Sequence, residues 1–157
     1  MTAWGKAGSG NWWAWAGLAA FLLAVLAGYV SPRAGAGAQE AFLRHLFGWP
    51  APLAHLVVVA GRKLGHLLGY GFLGFALVHL LRPVTVRRRL LVVLSPVLVI
   101  AVADEWVQSL LPWRSGLVSD VFLDSLAGLL GAGLAEAQRA TRGRERMGDR
   151  SGPARKR

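Results

Sequence analysis

The sequence predicts an all-α, polytopic membrane protein with four transmembrane helices in a small bundle. Three observations carry this. The chain has 157 residues, 54% of them hydrophobic, and its apolar residues are gathered into blocks rather than spread at amphipathic intervals. The stretch from Trp12 to Val30 contains no charge and is long enough for a hydrocarbon core of about 30 Å. The basic residues cluster at the flanks of the apolar blocks, as cytoplasmic ends of membrane helices do.

The elements follow in order. Residues 1–11 form a short N-terminal segment, and residues 12–138 a membrane domain. Its first span, Trp12 to Val30, resembles a signal peptide in having Lys6 before an apolar run and small residues in "AGAQE" after it, but the run exceeds an ordinary signal core and is expected to stay. Trp12, Trp13 and Trp15 suit an interfacial anchor. A long outer loop, 31–63, includes "QEAFLRHLFGW", where Phe42, Leu43, Leu46 and Phe47 have the spacing of a short interfacial helix ending before Pro50. The second span runs from about Leu64 to Leu81, the third from about Leu90 to Leu111 with Pro96 inside it, and the fourth from about Val121 to Ala137. The tail, 139–157, is rich in Arg, Gly and Ser and is expected to be disordered. Small residues recur every four positions at Ala16, Ala20, Ala24 and Gly28, at Gly61, Gly65 and Gly69, and at Ala127, Gly131 and Ala135, a pattern that permits close helix contact in lipid.

Orientation comes from arginine. The link "RPVTVRRR" (Arg82 to Arg89) and the tail share one side if the spans alternate, which puts both termini in the cytoplasm and residues 31–63 and 112–120 outside. The net charge of +10 resides mainly in that link and tail without interleaved aromatics, so it points to anionic membrane lipids as partners and not to nucleic acid. The absence of cysteine rules out disulfides, thiolate metal sites and a Cys nucleophile. No cofactor motif is present, and nothing fixes an oligomeric state.

Half of the eight acidic residues lie in one apolar region, 104–124. At about 1.5 Å per residue, His66 lies about 24 Å from Arg82, Glu105 about 24 Å from Arg89 and Asp124 about 22 Å from Arg139. Three helices thus bring an ionisable group to one depth, in the outer leaflet. Lys63, Gln108 and Asp120 form a second tier about 28 Å from the same markers. Lys63, His66 and Tyr70 share a helix face, as do Glu105 with Gln108 and Asp120 with Asp124. Charges at such depth pair, or line a hydrated pocket, and mark functional candidates. The signs suit pairing, with Arg62, Lys63 and Arg114 opposite Asp104, Glu105, Asp120 and Asp124, and Glu105 with Arg114 as one candidate pair. A polar latch that only fixes helix register is the plain alternative. Asp104 is expected to face headgroups, His45, His55 and His79 to be isolated, and Trp49, Trp106 and Trp113 to form an interfacial belt.

"RKLGHLLGYGFLGFAL" (Arg62 to Leu77), a basic link, and "DEWVQSLLPWRSGLVSDVFLDSLAGLLG" (Asp104 to Gly131) together resemble the VanZ-like family of small bacterial membrane proteins. By that resemblance the marked positions are Arg62, Lys63, His66, Tyr70, Asp104, Glu105, Gln108, Arg114, Asp120, Asp124 and Gly128. Gly69 stands where many relatives carry an acid, and Trp113 where a glycine is common. The resemblance implies a place in the cell envelope, in a family named for an accessory protein of teicoplanin resistance, and supplies no reaction.

Two functions fit these residues. In the first, a pocket made by Arg62, Lys63, His66, Tyr70, Glu105, Gln108, Arg114, Asp120 and Asp124 binds a charged lipid or cell-wall precursor headgroup. In the second, Glu105 or Asp124 is a general base with His66 as its partner, acting on a lipid-linked substrate, although no Ser-His-Asp or P-loop signature supports catalysis. A purely structural membrane partner is the third reading. A metal held by His66, Glu105 and Asp124 is disfavoured by the nearby Lys63 and Arg114 and by the absence of HExxH. A proton-coupled transporter lacks a relay continuing to the cytoplasm.

Overall fold

A computed structural model describes residues 11–31, 33, 35–81 and 85–150, with side chains up to 144. Among them are five helices and no strand: α1 (Trp12–Val30), α2 (Ala36–Phe47), α3 (Ala51–Leu80), α4 (Val86–Ser109) and α5 (Val118–Arg150). All but α2 are long and apolar enough to cross a membrane, so the chain is a four-span, all-α membrane protein, as the apolar blocks predict. Helices are required there because lipid offers no partner for backbone N–H and C=O groups.

The helix ends have local causes. α2 stops at Gly48, whose φ of 65° takes the left-handed conformation while its N–H caps the carbonyl of Arg44. Pro50 follows as the N-cap of α3, and Pro52 occupies the first turn, where its missing N–H costs nothing. Thus α3 begins at Ala51, well before the Leu64 expected from hydropathy, and much of the expected outer loop is helical. The hydropathy boundary reflected Arg62 and Lys63, which interrupt the apolar run without interrupting the helix. α4 continues through Pro96. α5 continues past Arg139 to Arg150, so the expected disorder gives way to helix over 139–150, where Arg, Glu and Met are all good helix formers. The N-terminal segment through Gly10, the link residues 82–84 and residues 151–157 lie outside the described part.

The bundle is organised around α3, which touches every other helix and packs most extensively on α5, while α5 also packs on α4. Glycine permits the α3–α5 approach: a Cβ on Gly74 would collide with the backbone of Gly128, and one on Gly131 with the backbone of Gly71. The Gly128 backbone also faces Val97 of α4. The α5 stripe therefore lies at a contact as expected, with Ala127 and Ala135 in the core, whereas Gly61 and Gly65 meet nothing and Gly69 meets Phe21 of α1. On α1, Ala16, Ala20 and Ala24 are exposed. Its contacts run through Gly17 against Phe72, Phe21 against Tyr70 and Trp13 against Phe75. Aromatic knobs from one helix seated on small residues of another decide the register, which a count of small residues does not reveal.

Polar side chains share the interior with an apolar core that includes Tyr70, Leu73, Val93 and Val97, while many large apolar side chains face outward. Leu22, Leu23, Val99, Val102, Leu130 and Leu134 are exposed, whereas Asp104, Glu105, Gln108, Asp124 and Arg89 are buried. That distribution suits apolar surroundings and an apolar core that also holds a few polar groups.

Candidate functional site

The buried polar groups form two clusters at opposite ends of the bundle. The larger lies near the 110–117 loop. Asp104 and Glu105 are each 6% exposed, Gln108 is 2% exposed and Asp124 is fully buried. They come from α4 and α5, and α3 adds His66 and Tyr70. His66 Nδ1 lies 3.1 Å from both carboxylate oxygens of Asp124, and its ring stacks at 6.1 Å on Tyr70. The Tyr70 hydroxyl donates to Asp104 Oδ2 at 3.1 Å, and the Tyr29 hydroxyl, from the end of α1, donates to Asp104 Oδ1.

Glu105 does not bond to Arg114. Its Oε2 accepts the backbone N–H of Leu117 at 2.6 Å, and its Oε1 accepts from Gln108 Nε2 at 3.4 Å. The side chain thereby ties the 110–117 loop to α4, and Gly116 allows the closeness, since a Cβ there would strike the Glu105 carbonyl. Arg114 instead reaches across to α1, where one guanidinium nitrogen lies 2.5 Å from where a Cβ on Gly28 would stand. Its Nε is buried without a hydrogen-bond partner among the described residues. The expected Glu105–Arg114 pair is absent because the shorter carboxylate arm finds a backbone donor close by. Of the expected pairs between the cations and acids of this region, Lys63–Asp120 forms, at 2.7 Å, on the exposed side of the cluster. Asp120 also sits in the first turn of α5, where the helix dipole favours a negative charge.

Beside the cluster lies a cavity of about 340 Å³, lined by Tyr29, Arg62, His66, Tyr70, Asp104, Gln108 and Arg114 together with Phe21 and Gln39. Arg62 stands where this cavity meets two others, one of about 640 Å³ between α2 and α3 lined by Phe42, Leu43, Val57 and Val58, and one of about 170 Å³ beside Lys63 and Asp120. Among the described residues neither Arg62 nor Arg114 has an ion-pair partner. The cavity therefore has two unpaired guanidinium groups in its lining, from α3 and from the 110–117 loop, beside a carboxylate–imidazole cluster. His66, Asp104, Glu105 and Asp124 each offer a ligand atom, all within 4.8 Å of one another, so they have metal-binding geometry as well.

Of the residues expected to form the site, Arg62, His66, Tyr70, Gln108 and Arg114 line the cavity, Glu105 and Asp124 lie in the cluster behind it, and Lys63 with Asp120 form an ion pair lining the smaller neighbouring cavity. Asp104 corrects the expectation that it faces headgroups, being buried at the centre of the cluster. Tyr29 was not anticipated at all, although a lone hydroxyl near the end of an otherwise uncharged span is a signal that could have found it. His55 is not isolated, since its Nδ1 lies 2.8 Å from Glu40 Oε1. His79 caps the carbonyl of Phe75 and packs edge-on against Trp13, which is turned inward and away from the expected anchor. The second polar cluster, at the other end, joins Arg89 to Glu136 at 2.5 Å with Arg139 beside them, and was also unanticipated.

No curated protein and no solved structure matches the chain. The family model described as VanZ/LLP1 matches residues 18–139, which reaches into each of the four spans and takes in the cavity and the buried carboxylates. The chain belongs to the VanZ-like family.

Proposed function

We propose that this VanZ-like protein resides in the bacterial cytoplasmic membrane with both termini inside, and that its cavity, in the outer leaflet, binds the anionic headgroup of a lipid or cell-wall precursor. The observation that carries this reading is the pair Arg62 and Arg114, two guanidinium groups facing one cavity without a carboxylate partner. Such groups repel each other and are poorly solvated in apolar surroundings, so an anion between them relieves both costs. Guanidinium forks also match phosphate and carboxylate geometry. Tyr70 and Gln108 supply uncharged hydrogen-bonding groups at the cavity wall, and Lys63 with Asp120 lines the neighbouring cavity of about 170 Å³ that shares Arg62 and His66.

The His66–Asp124 contact favours a second reading, an enzyme in which this pair, with Glu105, does acid–base chemistry on a lipid-linked substrate. Against it, Ser109 donates to the Trp106 carbonyl and Ser119 to Asp120, so neither hydroxyl is held by the His66–Asp124 pair as a nucleophile would be. Binding requires nothing further and is the reading adopted. The family is named for an accessory protein of teicoplanin resistance, which makes glycopeptide susceptibility a phenotype to test.

The test is complementation of a strain lacking the gene. His66→Ala and Glu105→Gln are expected to accumulate in the membrane near the normal level while losing the envelope phenotype, read as altered teicoplanin susceptibility or altered labelling of surface precursors. Variants that keep the phenotype at normal abundance contradict the site. Variants that vanish from the membrane support a register-fixing latch instead.

A further inference from the structure

We propose that the buried cluster behind the cavity is a divalent-cation site, with His66, Asp104, Glu105 and Asp124 as its protein ligands. This goes beyond headgroup binding and does not depend on it. Three carboxylates from two helices and one imidazole from a third converge so that four candidate ligand atoms all lie within 4.8 Å of one another. Ligands about 2.1 Å from a shared ion are separated by roughly 3 to 4.2 Å, so a sub-ångström contraction closes the set. The His66–Asp124 separation of 3.1 Å already suits two neighbouring ligands.

Charge points the same way. Asp104, Glu105 and Asp124 are essentially removed from solvent, and an uncompensated trio of carboxylates in such surroundings is costly. Of the cations that sequence would assign to them, Lys63 is held by Asp120, and Arg62 and Arg114 line the cavity without pairing to any of the three. A divalent ion placed between His66 and Asp124 takes the position that a proton on Nδ1 would otherwise occupy, and it neutralises two of the three charges. Lys63, neutralised by Asp120, opposes such an ion little.

An independent observation is that the outer support of such a site is already built. Metal-binding carboxylates are themselves held by hydrogen bonds that orient them. Here Tyr29 and Tyr70 donate to the two oxygens of Asp104, while the Leu117 N–H and Gln108 hold the two oxygens of Glu105. A cluster serving only as a latch would pair its carboxylates with the nearby guanidinium groups, and none is so paired. One imidazole with three carboxylates and no sulfur favours Mn²⁺ or Zn²⁺ over softer ions.

The experiment uses the full chain, purified in non-ionic detergent, stripped with chelator and titrated with MnCl₂ while free Mn²⁺ is read by electron paramagnetic resonance. One Mn²⁺ per chain is expected, displaced by Zn²⁺. Asp104→Asn, Glu105→Gln and Asp124→Asn should each weaken it by about tenfold or more, and Tyr29→Phe, which touches only the outer support, by about tenfold. Glu40→Gln, remote from the cluster, should bind as the unaltered protein does. Gel-filtration profile and circular dichroism identify any variant that fails to fold, and the remaining ones then carry the comparison. Wild-type protein that binds neither ion saturably overturns the proposal, as does saturable binding that folded Asp104→Asn or Asp124→Asn retains in full.

Discussion

Asp104 accepts hydroxyls from two different helices, Tyr29 of α1 and Tyr70 of α3, and is the residue that draws the first span into the site. Replacing it by alanine strands two donors in the interior, which costs about 1–3 kcal/mol. Removing one donor with Tyr29→Phe leaves the carboxylate its other partner and should cost less, about 0.5–2 kcal/mol on the scale of interhelical hydrogen bonds in membranes. Denaturation of the purified variants in detergent should therefore rank Asp104→Ala below Tyr29→Phe, and both below wild type; equal stability of all three would place Asp104 outside the framework. The depth ruler made His66, Glu105 and Asp124 legible in the sequence, because rise per residue is nearly constant in any helix. Asp104 was misread for a geometric reason. Neighbouring helical residues diverge by about 100°, so if Glu105 faces the interior, Asp104 faces outward unless another helix covers that side. The side is covered by two tyrosines, Tyr70 of α3 and Tyr29 of α1, and nothing in the pattern of 104–108 reports which side chains flank α4 there.

At the level of elements, the α3–α5 crossing depends on bare backbone. Gly131→Leu would drive a side chain into the Gly71 carbonyl and is expected to destabilise the bundle by about 1–3 kcal/mol or more, as overpacking does. Gly133→Leu, on the same helix but facing open space, should be nearly neutral. A thermal melt that does not separate these two variants would mean that the helices do not cross as described. The existence of the four spans was legible because continuous apolar runs have few alternatives in a chain of this composition. Their ends were less so. Hydropathy reports where lipid is tolerated, and the hydrogen-bonded helix runs on through Arg62 and Lys63 upstream and past Arg139 downstream. The contact faces were legible on α5, where small residues are concentrated, and not on α1, where alanine is frequent on every side and Phe21 and Trp13 choose the face.

The whole molecule is a bundle with an apolar exterior and a polar cluster at each end, one joining Arg89 to Glu136 and the other holding the cavity. Arg87 to Arg89 of α4 and Arg139, Arg142 and Arg144 of α5 lie at the end opposite the cavity, and the positive-inside tendency of such residues is the basis for the proposed outward-facing cavity. A phosphatase reporter that works only outside the cytoplasm should be inactive when fused after Arg150, and neutralising Arg87 and Arg88 should let a fraction of molecules invert. An active fusion would reverse the orientation and put the cavity in the inner leaflet. The central claim, that two unpaired guanidinium groups make the cavity an anion receptor, is tested most directly by equilibrium binding of short-chain phosphatidylglycerol and phosphatidylcholine to purified wild type and to the Arg62→Gln/Arg114→Gln variant. Charge-assisted hydrogen bonds contribute about 1.5–3 kcal/mol each, so wild type should prefer the anionic lipid by about tenfold or more and the folded double variant should lose that preference. A double variant that discriminates as well as wild type, or a wild type that binds both lipids equally, would contradict it.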